Sequence, residues 1–135
     1  MIKFQEIKVG DYLMADNDGD LKRGEVLNLN GDEKQVCVDT GTQSFWYETS
    51  QLSAIPLDDA QLLDLKFDKE QNENGTVKYM KGAFRLLLPS ENNFSKMEIW
   101  YRDERRHIMQ SINVHQLQNH FYEMTKVHLN DQPFT

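Results

Sequence analysis

Residues Ile112 to Val127, INVHQLQNHFYEMTKV, constrain the fold more than any other stretch of the chain. Asn113 can cap a helix while Gln116, three positions on, reaches back to the cap's own amide, the reciprocal pairing of a capping box. Ile112 just ahead of the cap and Leu117 four residues after it stand at the spacing of a hydrophobic staple. Val114, Leu117, Phe121 and Met124 recur at steps of three and four, which draws one apolar stripe along a helix over about 113–126. A helix this short is marginal alone in water, so the stripe requires a surface that buries it.

The surface has to come from the preceding residues, and these are written in strands. From Lys8 to Leu57 short runs alternate with turn chemistry. Gly10-Asp11 opens Tyr12 to Ala15, Asp18-Gly19 turns into Leu21 to Leu29, and Asn30-Gly31 precedes Gln35 to Asp39. Thr40-Gly41 then leads into Ser44 to Glu48. Ser50-Gln51-Leu52 suits a single helical turn and Ser53-Ala54-Ile55 a fifth strand that closes a small β-barrel over residues 1–57. The V-G-D-Y opening, the long second strand with G-x-V, the V-x-V third and the aromatic fourth resemble SH3-like barrels of the Tudor and KOW kind. That resemblance covers about 50 residues and implies a fold more than an activity.

Residues 58–135 read as an α+β unit. Asp58 and Gln61 have the spacing of another capping box, for a short helix through about Leu65 whose buried side would be Leu62, Leu63, Leu65 and Phe67. Asp68 to Gly75, DKEQNENG, reads as a polar loop. Thr76 to Met80 and Ala83 to Leu88 form a hairpin about Lys81-Gly82, stopped by Pro89. Met97, Ile99 and Tyr101 alternate with Glu98, Trp100 and Arg102, as in a half-buried antiparallel strand. Arg102 to Arg106 turns the chain and His107 to Gln110 pairs back. The expectation is a three- or four-stranded antiparallel sheet packed by the C-terminal helix.

Val114-His115-Gln116-Leu117-Gln118-Asn119, followed by Phe121-Tyr122, Thr125 and Leu129, resembles the V-H-Q-L-Q-N-L-Y-F-x-L-T-G-x-x-L signature that ends a family of short Bacteroidetes proteins. The same family carries I-P-L-T-x-x-x-L, to which Ile55-Pro56-Leu57-Asp58 and Leu62 are similar. The resemblance implies the helix and no activity. Two positions depart from it: His120 stands at an apolar position, and Lys126 replaces a glycine suited to a left-handed helix end. The helix of this chain must therefore stop differently or hold Lys126 in a strained conformation.

Composition excludes several partners. The 135 residues carry a net charge of −7 from 22 acidic and 15 basic side chains. Divided after Leu57, the first part has 5 basic and 10 acidic residues (−5) and the second 10 and 12 (−2). Neither part suits a phosphate backbone. No apolar run approaches the roughly 20 residues that cross a bilayer, and MIKFQEIKVGDY lacks the apolar core of a secretion signal. A cytoplasmic protein with no membrane attachment is the expectation. The single Cys37 agrees, since it has no partner for an internal disulfide.

The chemistry-bearing residues mostly have plain structural readings. Asp16-Asn17-Asp18-Gly19-Asp20 alternates carboxylates, but Leu21 and Leu27 fall where an EF-hand loop needs glycine and glutamate, so a hairpin tip is expected. His115 and His120 are five residues apart, about 140° around a helix, and do not share a metal; they read as surface histidines or supports for a neighbour. His120 and Glu123 share a face without a third ligand. Cys37 shares a strand face with Gln35 and Asp39, opposite Val36 and Val38, with no group nearby to activate it. Asp103 and Glu104 sit amid arginines in a turn. No G-x-S-x-G elbow or phosphate-binding glycine loop occurs.

Binding surfaces are the better candidates. Tyr12, Phe45, Trp46 and Tyr47 lie on barrel strands, where rings can attract a cationic ligand; alternation sends Phe45 and Tyr47 to one face and Trp46 to the other. Trp100, Tyr101, Arg102, Arg105 and Arg106 form the alternative, a clamp for nucleic acid, although four bases among three acids from Lys96 to Arg106 give it little field. The sequence therefore points to a non-enzymatic intracellular binding or adaptor protein with a protein or peptide partner and no cofactor or metal. An accessory nucleic-acid-binding protein is the alternative, disfavoured by charge.

Overall fold

The computed structural model describes residues 2–129. The chain divides into two compact units, Met1–Ile55 with Asn113–Asn119, and Pro56–Ile112 with His120–Thr135. The expected boundary after Leu57 thus falls at Ile55, and the beginning of the C-terminal helix belongs with the N-terminal strands.

In the first unit a 3-10 turn, Phe4–Glu6, leads to β1 (Tyr12–Asn17), β2 (Asp20–Asn30), β3 (Gln35–Asp39) and β4 (Ser44–Glu48). A second 3-10 turn, Thr49–Gln51, precedes the two-residue β5 (Leu52–Ser53). The strands are antiparallel in the order β4-β3-β2-β1-β5. Sequence placed the fifth strand at Ser53 to Ile55; pairing with Met14 and Ala15 fixes it one residue earlier. Asp18 and Gly19, both at positive φ, form the two-residue hairpin turn that follows the twist of the flanking strands. A bulge after Val26 sets Leu27 outside the ladder. Gly24 permits β2 to bend across β3, because a Cβ there would overlap Val38 and the Asp39 carbonyl. Leu13, Ala15, Val26, Val36, Val38, Tyr47 and Leu52 point inward, joined by Ile2 and Ile7.

The second unit opens with α1 (Asp59–Asp64), capped by the Asp58 carboxylate, which accepts the Gln61 N–H at 2.9 Å. The return half of the expected capping box is not made, for Gln61 Oε1 is buried without a hydrogen-bond partner. Leu62, Leu65 and Phe67 are buried as expected, but Leu63 is 46% exposed: one residue on from Leu62, it turns about 100° away from the core. Five strands follow as a meander: β6 (Asp68–Gln71), β7 (Val77–Lys81), β8 (Phe84–Leu88), β9 (Met97–Tyr101) and β10 (Glu104–Ile108). The stretch read as a polar loop therefore begins with a strand, β6, held by its ladder to β7. Only Arg102 and Asp103 turn the chain between β9 and β10, so Glu104 to Arg106 are paired strand residues.

One face of this second sheet carries the core: Val77, Tyr79, Phe84, Leu86, Leu88, Met97 and Ile99. α2 (Val114–Thr125) supplies Phe121 to it, with ring centroids of Phe84 and Phe121 4.8 Å apart. All four residues of the predicted stripe are buried: Val114, Leu117, Phe121 and Met124. The Gln116 side chain accepts the Asn113 N–H at 2.7 Å. At the other end Lys126 takes φ +64°, and its N–H bonds the Tyr122 carbonyl at 2.7 Å. The helix thus ends in the left-handed form that the signature's glycine would provide, at a cost in a lysine of about 1 kcal/mol. Among the described residues no helix is long and apolar enough to cross a membrane.

Candidate functional site

The four aromatic candidates do not form one cluster. Tyr47 is in the core of the first unit, 3% exposed. Phe45, on the same face of β4, sits at the rim with its ring edge-on to Tyr47 at 6.4 Å and is 40% exposed. Trp46 faces outward and is 47% exposed. Tyr12 lies across the sheet on β1, with the Arg23 guanidinium 4.5 Å from its ring centre. Phe45 and Trp46 remain as a pair of rings open to solvent on a single strand.

That strand ends its sheet. β4 pairs with β3 alone among the described strands, Cys37 opposite Trp46 and Gln35 opposite Glu48. On the face of Trp46 stand Glu48 and Ser44 from β4 and Gln35, Cys37 and Asp39 from β3, as alternation requires. The Asp39 carboxylate accepts the Gly41 N–H at 2.8 Å, and that of Glu48 accepts from the backbone of the 3-10 turn. Neither has an ion-pair partner among the described residues.

The helix signature turns out to serve the fold. Gln118 accepts the Tyr12 N–H at 2.8 Å and donates to the Gly10 carbonyl at 2.9 Å, so one buried side chain completes the backbone bonding where β1 begins. Asn119 reaches the Glu6 carbonyl at 3.5 Å. His115, read from sequence as a surface or supporting group, is 1% exposed, and neither ring nitrogen has a hydrogen bond. Burial holds its pKa below the ordinary histidine value, against the pull of the Glu6 carboxylate 3.9 Å away. Sequence marked Asp11 only as part of the turn that opens the first strand, yet it is 2% exposed. Its carboxylate accepts the Lys8 N–H at 2.8 Å, and burial still pushes its pKa up to about 7.

In the second unit His120 and Glu123 do share a face, and both meet Arg106. Its Nη1 lies 2.8 Å from His120 Nδ1 and 2.7 Å from Glu123 Oε1, while Nε donates to Glu104 at 3.0 Å. Since arginine only donates, Nδ1 is the acceptor and the proton of the neutral ring is on Nε2. Burial and the Arg106 charge keep His120 below its usual pKa; the hydrogen bond from Arg106 lowers that of Glu123. A guanidinium therefore holds the lone pairs that a metal would need. Asp59, Lys69, Glu91 and the Tyr79 hydroxyl make a second network, with Tyr79 to Asp59 at 2.5 Å and Lys69 to Asp59 at 2.9 Å. Hydrogen bonds from Tyr79 and Lys69 hold Asp59 low, and burial raises Tyr79. Tyr79 stays a protonated donor, which suits a strut.

The residues of the nucleic-acid alternative are dispersed. Trp100 and Arg105 share the open face of the second sheet, whereas Tyr101 and Arg106 belong to the opposite face and Arg102 to the turn. Trp100 has guanidinium groups already against it, Arg105 at 4.0 Å and Arg85 at 5.2 Å from the ring centre. Arg105 also pairs with Glu98 at 3.4 Å. Comparison with family models, with curated proteins and with solved structures finds no match to the chain.

Proposed function

We propose that this chain is a non-enzymatic cytoplasmic binding or adaptor protein, that its first unit is an SH3-like barrel, and that its working surface is the outer edge of β4. The barrel reading is supported by five short antiparallel strands of which the last returns to pair with the first, directly after a 3-10 turn. Kinship with the Bacteroidetes family of the helix signature is part of the proposal. Its support is that five of the signature's apolar positions, Val114, Leu117, Phe121, Met124 and Leu129, are buried here, while Tyr122, at a sixth, is 43% exposed.

The observation that carries the functional reading is a contrast among sheet edges. A bare edge invites unwanted pairing, and proteins blunt it with charge, brevity, proline or a bulge. β5 is two residues long, β6 is Asp-Lys-Glu-Gln and β10 is Glu-Arg-Arg-His-Ile. β4 is Ser-Phe-Trp-Tyr-Glu, in unbroken register with β3, with two exposed rings and no lysine or proline. An edge left open among the described residues, in a chain that protects the other three, is the mark of a surface kept for a partner.

The test is affinity capture from an extract of the native host with the parent chain and with Trp46→Lys, which installs the charge that guards the other edges. The expected result is a partner recovered by the parent and lost by a folded variant. Equal recovery by both would refute the assignment to β4.

A further inference from the structure

We infer that the partner of β4 is an extended peptide segment carrying lysine or arginine at alternate positions, which adds to the first sheet as a further antiparallel strand with a cation over Trp46. This rests on the reading of β4 as the working edge.

The backbone supplies the pairing. Along an edge strand, N–H and C=O groups point alternately toward the neighbour and away from it. The Thr40 N–H bonds the Gln43 carbonyl at 3.2 Å, which by the register makes Val38–Phe45 and Val36–Tyr47 the bonded pairs and leaves Glu48, whose N–H is bonded to Gln51 Oε1 at 2.9 Å, among the outward groups. Two and four residues back, Trp46 and Ser44 then present their N–H and C=O groups to the free edge. An incoming strand that bonds these groups lays alternate side chains on the face of the Trp46 indole.

The side chains supply the selection. An indole exposed on a sheet face attracts a cation through its ring quadrupole. Glu48 stands two residues along the same strand and Asp39 diagonally across on β3, each about 7 Å from Trp46. The wider field agrees, since residues 1–55 hold 5 basic and 10 acidic side chains and Asn113–Asn119 adds none, for a net −5. Several of the bases are already engaged: Arg23 lies against Tyr12, Lys34 against Phe4 and Lys22 beside Asp20. An acidic strand would meet this field with the wrong sign. A second copy pairing β4 with β4 would bring two units of −5 together.

The experiment follows the amide signals of Ser44 and Trp46 and the Trp46 indole signal by NMR in the full chain. The probes are peptides of about ten residues: alternating Lys and Thr, alternating Glu and Thr, and the Lys peptide interrupted by proline. The expected result is that only the uninterrupted Lys peptide shifts these signals, with an affinity that falls as salt rises. Asp39→Asn with Glu48→Gln keeps both backbone hydrogen bonds and removes both charges, and should weaken binding about tenfold. Trp46→Ala should weaken it about two- to fivefold. Equal binding of the proline-interrupted peptide overturns strand addition. Preference for the Glu peptide overturns the cationic class while leaving β4 as the working edge. Concentration-dependent shifts in the free chain make a second copy the occupant and overturn the inference. Silence at β4 with every peptide overturns both the inference and the reading beneath it.

Discussion

Replacing Asp11 by asparagine should make the protein less sensitive to alkaline pH. In the folded chain the carboxyl titrates near 7, against 3.8 for the free group, because burial opposes its ionisation. Below pH about 3.8 both states hold the proton and the group contributes no pH dependence. Between about 4 and 7 the unfolded chain has lost the proton while the folded chain retains it, so rising pH favours unfolding; above 7 the penalty levels off. The full span is about 3 pKa units, or about 4 kcal/mol. From pH about 5.5, clear of the isoelectric point near 5.0, to pH about 8 the difference is about 2 kcal/mol. The substituted amide can still accept the Lys8 N–H through its oxygen, so the variant removes the titration and keeps the bond. His115 acts in the opposite sense: its lowered pKa makes the unfolded chain the better proton acceptor, and its contribution grows as pH rises through the ordinary histidine range. Subtracting the two proteins cancels this. Urea denaturation at the two pH values should therefore show Asp11→Asn gaining about 2 kcal/mol on the parent as pH rises. Parallel stabilities at both pH values would refute the assignment of a buried, late-titrating carboxyl.

Phe121→Ala should cost about 3–5 kcal/mol, because it empties a site packed on Phe84; an unchanged urea midpoint would contradict the packing. Lys126→Gly should stabilise by about 0.5–1 kcal/mol, since glycine takes the observed +64° without the clash of a Cβ. Its thermal midpoint should rise by a few degrees, and a fall would show that the lysine side chain matters more than the helix end.

What sequence made legible was periodic. The stripe of α2 follows from spacing alone, and alternation put Val36 and Val38 opposite Cys37 and Trp46 opposite Phe45 and Tyr47; which of these faces is the inner one comes from the fold. What it hid depends on partners distant in the chain. Asp-Lys-Glu-Gln reads as a loop by composition, and only its ladder to β7 makes it β6. His115 looks like a surface residue because it lies beside the stripe, yet the first half of α2 is covered over a wider arc that takes in Gln118 as well. Tyr47 and Trp46 are adjacent letters of similar chemistry; burial against Val36 and Val38 separates a core ring from a candidate ligand surface.

Gln118 and the Gly10 carbonyl that it bonds are 108 residues apart in sequence. A ribosome adding about 5–20 residues per second would expose the opening strands on the order of ten seconds before the glutamine emerges. During that interval the Tyr12 N–H and Gly10 carbonyl must be satisfied by water. The N-terminal sheet thus matures only after Gln118 has emerged, and the rings of its fourth strand, Phe45 and Trp46, spend that time open to misassociation.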